Sequence, residues 1–363
     1  MIYDFEQILK SELGSEMVKY LLSLDDEAAA KQLFAKARET RDAVIGNKVY
    51  LRGLIELSNR CSKNCYYCGI RSGNKNVIRY DIPDDEVLKA AEFALQNNYA
   101  SIVIQSGELN DKTFTKRVTS LLQKIGNLTQ NQLHITLSCG EQSPDVYRQW
   151  FDNGAQRYLL RIETSSESLY YKIHPNNPKH NFTHRLNALE SLKGIGYQTG
   201  TGIMIGLPYQ TFDDLTNDLF FFKDFGIHMV GMGPYIEHPD TPLAKFSKIM
   251  LPLQQRLELT LKMIALLRLL MPDINIASTT ALQTIDPLGR EKGIAAGANV
   301  IMPNITPVKY KENYNLYEGK PCLDEEPDQC TTCIDMRVKL AGGEVAYDQW
   351  GDSKFYKRSQ SKQ

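Results

Sequence analysis

From residue 49 onward the chain alternates short apolar runs with stretches of helical periodicity, and this alternation limits its fold more than any other feature. Strand-like runs fall at 50–57, 101–105, 134–138, 157–162, 199–205, 228–232, 275–278 and 299–302. Helical periodicity fills the intervals, as at 84–97, 145–152, 182–192, 212–225 and 253–271. Eight strands, each followed by a helix or loop, predict an α/β chain with a complete (β/α)8 TIM-type barrel. A doubly wound open sheet is the rival, and the count of eight favours the barrel. Three segments follow: helices over 1–48, the barrel over 49–303 and an extension over 304–363. In such barrels chemistry sits at the C-terminal strand ends, so those ends are the places to search.

The loop after the first strand carries Cys61, Cys65 and Cys68 in a C-x3-C-x2-C spacing. Three thiolates this close can wrap one metal centre, and soft sulfur suits zinc or iron–sulfur. Structural zinc wants four closed ligands. A 4Fe-4S cluster on three cysteines instead leaves one iron open for chemistry. The tail holds a second triad, Cys322, Cys330 and Cys333, among Asp324, Glu325, Glu326 and Asp328. It predicts an accessory site for a 2Fe-2S or 4Fe-4S cluster, or for zinc with an outside ligand. Cys139 stands alone and reads as a buried, apolar-type cysteine. Six of seven cysteines in two triads argue for metal rather than disulfides, and for a reducing, cytoplasmic setting.

A net charge of −1 gives no basic field for nucleic acid. The first residues lack the basic-then-apolar order of a signal peptide. The longest apolar stretch, 261–271, is broken by Lys262 and Arg268, which argues against a membrane span.

Several strand ends carry polar groups. The second ends in Gln105-Ser106-Gly107-Glu108, where glycine allows close approach of a ligand. In the fourth, Arg161 and Glu163 share one face. Two buried charges demand a partner, so they pair with each other or with a ligand. Thr136 and Ser138 share a face of the third strand, and Ser278, Thr279 and Thr280 cluster at the seventh. His238 in a proline-rich loop reads as structural. Tyr310, Tyr314 and Tyr317 recur at near-helical spacing. No residue stands out as a general acid or base. Thr136, Ser138, Thr279 and Thr280 instead suit a small anionic ligand held by neutral donors.

The cysteine loop resembles that of the radical S-adenosylmethionine (SAM) enzymes. In that family SAM chelates the open iron of the 4Fe-4S cluster and is cleaved to a 5'-deoxyadenosyl radical. Residues 202–210 resemble the family's glycine-rich adenine-lining strand, with Gln210 near the place of its usual glutamate. The resemblance implies that Tyr67, Gln105, Ser106, Gly107, Met204, Met302 and Tyr314 line SAM. It also implies that Glu163 binds its ribose or ammonium, and Arg161 or Arg185 its carboxylate. Residues 64–70, Arg79-Tyr80, 206–208, 238–242 and 298–304, with the tail triad, are similar to the HydE-type maturases of iron-only (FeFe) hydrogenase. Biotin synthase and methylornithine synthase are more distant relatives. The implied substrate is a small sulfur-containing iron–cysteine carbonyl cyanide complex, attacked at sulfur by the radical during diiron-subsite assembly. An electron donor and other hydrogenase maturases are the implied partners. The competing readings are a radical SAM carbon-skeleton mutase or sulfur-insertion enzyme, and a zinc scaffold without catalysis.

Overall fold

The computed structural model describes residues 12–360, and within them the side chains other than those of 328–332. Its centre is a curled, fully parallel sheet of ten strands with helices on its outer face. The strands are β1 (Lys48–Leu51), β2 (Gly53–Ser58), β3 (Ser101–Ser106), β4 (His134–Ser138) and β5 (Arg157–Leu159). After them come β6 (Gln198–Ile205), β7 (Met229–Pro234), β8 (Asn275–Ser278), β9 (Val300–Ile301) and β10 (Glu344–Val345). Their order is β10-β1-β9-β8-β7-β6-β5-β4-β3-β2. All eight expected strands are present, within a residue or two at most ends. The fourth is the exception, because the ladder stops at Leu159 rather than 162. Beyond it the chain keeps only single contacts to β6, such as Glu163 N–H to Gly202 O at 2.9 Å. Glu163 itself adopts φ +66°, which no regular strand tolerates.

β1 and β2 are consecutive pieces of one run, separated by Arg52. β1 lies in register with β9 and β10, whereas β2 lies in register with β3. Leu54 donates its N–H to Pro303 O at 2.7 Å and accepts from Ile305 N at 2.9 Å.

In-register parallel pairing places Glu56, Gln105 and Ser138 side by side, and Val103, Thr136 and Arg157 likewise. These residues share the inner face. The opposite face carries Ile55, Leu57, Ile102, Ile104, Ile135, Leu137, Tyr158 and Ile203, all buried against helices. Helices Ser15–Ser23 and Glu27–Val44 begin the described chain. The second packs on helix Leu253–Leu270, whose eleven buried side chains include Arg256 and Arg268. Arg41 ties this layer down by donating to Ile294 O at 2.7 Å.

The tail adds structure that the pattern did not predict. β10 extends the sheet beside β1, and residues 350–353 plug its N-terminal end. Fully buried Arg157 donates to Asp352 Oδ1 at 2.5 Å and to Ser101 Oγ at 2.9 Å. Trp350 stacks on His134 with centroids 3.7 Å apart. Among the described residues no helix is long and apolar enough to cross a membrane.

Candidate active site

The cysteine loop leaves β2 at the C-terminal edge of the sheet and is fixed at both flanks. Ser62 N–H donates to Glu108 O at 2.8 Å, and Gly69 N–H to Leu316 O at 2.9 Å. Two glycines are required by space. A Cβ on Gly107 would lie 2.3 Å from Arg60 O, and one on Gly69 would lie 2.1 Å from Asn315 O. Arg79 staples the loop from below. Its guanidinium donates to Asn59 O, Ile70 O and Arg71 O at 2.7 Å each, and to Asn74 O at 3.1 Å.

Cys61, Cys65 and Cys68 are free, half-buried thiols. Burial pushes the Cys65 thiol up to about 12, and the neighbouring Cys61 adds to the rise. Cys68 is raised by burial and by both other cysteines, so the three lie within one another's field. Such thiols become thiolates only when a positive centre compensates the charge. Among the described residues no three His, Cys, Asp or Glu side chains converge closely enough to hold a single ion. The donor set, three mutually interacting sulfurs and a backbone N–H from Glu108 to Cys61 Sγ at 3.3 Å, fits a larger sulfur-bound centre.

Beside the loop lies a buried four-charge network. Lys63 reaches Glu108 and Glu141 at 2.9 Å each, and Arg185 reaches Glu108 at 3.3 Å and Glu141 at 2.7 Å. Burial alone would lower the Arg185 guanidinium, but the two carboxylates outweigh it and hold it well above its usual range. His180 accepts the Asn64 N–H at 2.9 Å, and Tyr67 Oη lies 3.1 Å from His174 Nε2.

Arg161 and Glu163 form a two-pronged pair, Nε to Oε1 at 2.8 Å and Nη2 to Oε2 at 2.9 Å. The guanidinium also donates to Gly231 O and Ile203 O at 2.7 Å each. Glu163 is thus held by Arg161, and Arg185 is occupied with Glu108 and Glu141. Gln105 donates to Tyr314 Oη at 3.2 Å, and Ser106 turns its hydroxyl onto Gly107 O at 2.7 Å. Gln105, Ser138, Arg161, Met204, Thr279 and Met302 keep partial exposure although they sit at the inner strand ends. Thr136 Oγ1 is buried without a hydrogen-bond partner. Thr279 donates to Met232 O at 3.1 Å, and Thr280 accepts from Arg290 Nη2 at 3.5 Å.

Charged groups on this face are not limited to Arg161 and Glu163. Glu56, on β2, is buried and accepts from Lys320 Nζ at 2.5 Å and from Asn304 Nδ2 at 3.1 Å. Burial pushes its carboxyl up against the pull of Lys320. A lone carboxylate inside the run Leu54-Ile55-Glu56-Leu57 was the sequence signal for it. The tyrosine stripe is also not one helix face, since only Val308–Lys311 is helical there. Tyr80 stacks on Tyr310 with centroids 5.0 Å apart.

In the tail, Cys322 adopts φ +61° and Cys333 is exposed, while the Cys330 side chain lies outside the described residues. Cys139 is fully buried and its thiol is pushed up to about 11 by burial, as a structural cysteine would be.

Residues 55–222 match the Radical SAM superfamily model. The chain is 44% identical over 349 residues to the FeFe hydrogenase maturase subunit HydE of Thermotoga maritima, covering 96% of each. The chain belongs to the HydE family of radical SAM proteins. A 4Fe-4S cluster and SAM are the cofactors that this family implies. Among solved structures, methylornithine synthase (PylB) superposes with a TM-score of 0.80 at 22% identity, over 95% of this chain and 97% of that one. The FeFe-hydrogenase maturase HydG of Carboxydothermus hydrogenoformans gives 0.74 at 21%, over 95% and 79%. At those identities the likeness shows the HydE-family chain sharing their fold.

Proposed function

We propose that this chain is a radical SAM maturase acting in assembly of the FeFe-hydrogenase active centre. The carrying observation is the match across 96% of a HydE maturase, with the three-cysteine loop intact. Cys61, Cys65 and Cys68 would hold the 4Fe-4S cluster, which with SAM supplies a 5'-deoxyadenosyl radical when bound. The chain's own part is positioning. Arg79 and the Lys63–Glu108–Arg185–Glu141 network fix the loop, and Glu163, oriented by Arg161, presents carboxylate oxygens for a SAM hydroxyl or ammonium. Of the two arginines proposed for the SAM carboxylate, Arg161 keeps the more exposed side chain, 31% against 10% for Arg185.

Closure of the sheet as a complete (β/α)8 barrel is part of this reading. The Leu54 bonds to Pro303 and Ile305 support it, because β2 pairs with β3 through the same run. Inside, Thr136, Ser138, Thr279 and Thr280 form the proposed seat of a small sulfur-containing iron–cysteine carbonyl cyanide substrate. The unpartnered Thr136 hydroxyl supports a polar guest there. The tail triad is read as accessory, with a second cluster as its guest, and an electron donor and the other maturases as partners.

The test is an anaerobic hydrogenase-maturation mixture that lacks only its HydE component. Adding the reconstituted protein should restore hydrogenase activity. SAM cleavage without restored hydrogenase would favour the alternative, a radical SAM mutase acting on a small organic substrate.

A further inference from the structure

Four large apolar side chains are exposed together on the segments after β6 and β7: Tyr209, Phe212, Ile249 and Leu251, with Ile249 71% exposed. They border a groove of about 400 Å³. Scattered apolar residues on a surface are ordinary, whereas a contiguous group with a polar rim marks an interaction site. The rim here is basic. Lys172 lies 5.1 Å from the Tyr209 ring centroid and Lys245 lies 4.9 Å from that of Phe246, with exposed Lys248 beside them. None of the three lysines joins an ion pair among the described residues. The neighbouring carboxylates are spoken for: Asp213 is held by Lys19 at 2.6 Å, and Asp214 caps its own helix through Thr211.

The position of this face matters as much as its chemistry. Its underside is a small apolar core of Leu169, Ile173, Leu207, Tyr235 and Leu243, onto which Tyr66, Tyr67, Phe246 and Met250 pack. Tyr66, next to Cys65, donates its N–H to Ile173 O at 3.0 Å and accepts from Leu243 N at 3.1 Å. The exposed face is therefore the outer surface of the same core on which the cysteine loop rests.

We propose that this face docks a small acidic one-electron carrier of the ferredoxin class. The proposal rests on the radical SAM reading, which requires an electron from outside. One electron would leave the carrier, oxidising it by one, and reduce the cysteine-held centre by one, with no bond or proton change. An apolar centre with a charged rim suits such brief, weak encounters. A second copy of the chain is a poor occupant, because a twofold contact would set lysine rim against lysine rim.

The experiment uses the full, reconstituted protein and an oxidised bacterial 2(4Fe-4S) ferredoxin, with binding followed by calorimetry. The parent should bind at micromolar strength and weaken about tenfold as salt rises through the physiological range. The triple variant Lys172→Glu, Lys245→Glu, Lys248→Glu should bind at least tenfold more weakly, and Ile249→Ser should weaken binding without changing its salt dependence. With dithionite as reductant all variants should cleave SAM like the parent. Ferredoxin binding by the charge-reversed variant equal to that of the parent would overturn the proposal. So would a parent that ignores ferredoxin but binds anionic phosphatidylglycerol vesicles or self-associates through Ile249. A parent inactive even with dithionite would instead contradict the radical SAM reading, while the binding data still decide the surface.

Discussion

At the scale of single residues, Glu163 is the most informative position. Its carboxylate is held by Arg161 in a left-handed backbone conformation that strains any non-glycine residue. Glu163→Gln keeps the shape and removes the charge. Losing one charge-assisted hydrogen bond costs about 1.5–3 kcal/mol, so SAM affinity should fall about tenfold or more by calorimetry. Unchanged affinity would make the pair purely structural. His228 offers a pH test. Its Nδ1 accepts the Thr199 N–H at 3.0 Å, and burial lowers its pKa to about 4. The unfolded chain binds that proton below pH 6.5, so folded stability should be intact above 6.5 and decline toward pH 4, by about 1.4 kcal/mol per unit at most. Chemical denaturation should show a shallower slope in His228→Gln than in the parent, by up to one proton's worth, the remainder coming from His174 and His180, which burial also lowers. The cysteines were legible because their spacing is local. Glu56 and Lys320 were not, since 264 residues separate them and only the fold joins them.

At the scale of elements, the strand and helix bounds were mostly legible because apolar period and local caps coincide. Helix Phe212–Phe225 begins with a reciprocal Thr211–Asp214 capping box and ends at Gly226 in the left-handed region. β5 was overread because Leu160 and Ile162 are as apolar as strand residues, while the turn at Glu163 depends on Arg161 and Gly202 across the sheet. The cysteine loop is held less by its own sequence than by Arg79. Arg79→Met deletes four donated bonds to backbone carbonyls, each contributing about 1 kcal/mol. The variant should stay folded, take up well under half the parent's iron on reconstitution and be cut faster by chymotrypsin at Tyr66–Tyr67. Parental iron uptake and protease resistance would show the loop to be self-supporting.

Across the whole molecule, the tail joins one edge of the sheet to its N-terminal mouth. Strand β10 pairs with β1, and Asp352 neutralises Arg157 at the N-terminal end. Nothing in the polar sequence around Trp350 announces this, since a plug is recognisable only from the hole it fills. Asp352→Ala leaves a fully buried guanidinium without its carboxylate and should cost about 3–5 kcal/mol, read as a large drop in denaturation midpoint. A small change would mean that Ser101 and the Trp350 carbonyl suffice to hold Arg157.

The central claim is that three cysteines at one strand end build a radical-generating centre. Iron and sulfide content and 5'-deoxyadenosine formation, measured together on anaerobically reconstituted parent and Cys65→Ala proteins, test it most directly. The parent should bind the first cluster and cleave SAM under reduction, and Cys65→Ala should lose both together. The variant Cys322→Ser, Cys330→Ser, Cys333→Ser should retain cleavage near the parental rate. Robust SAM cleavage by an iron-free Cys65→Ala protein would contradict the account.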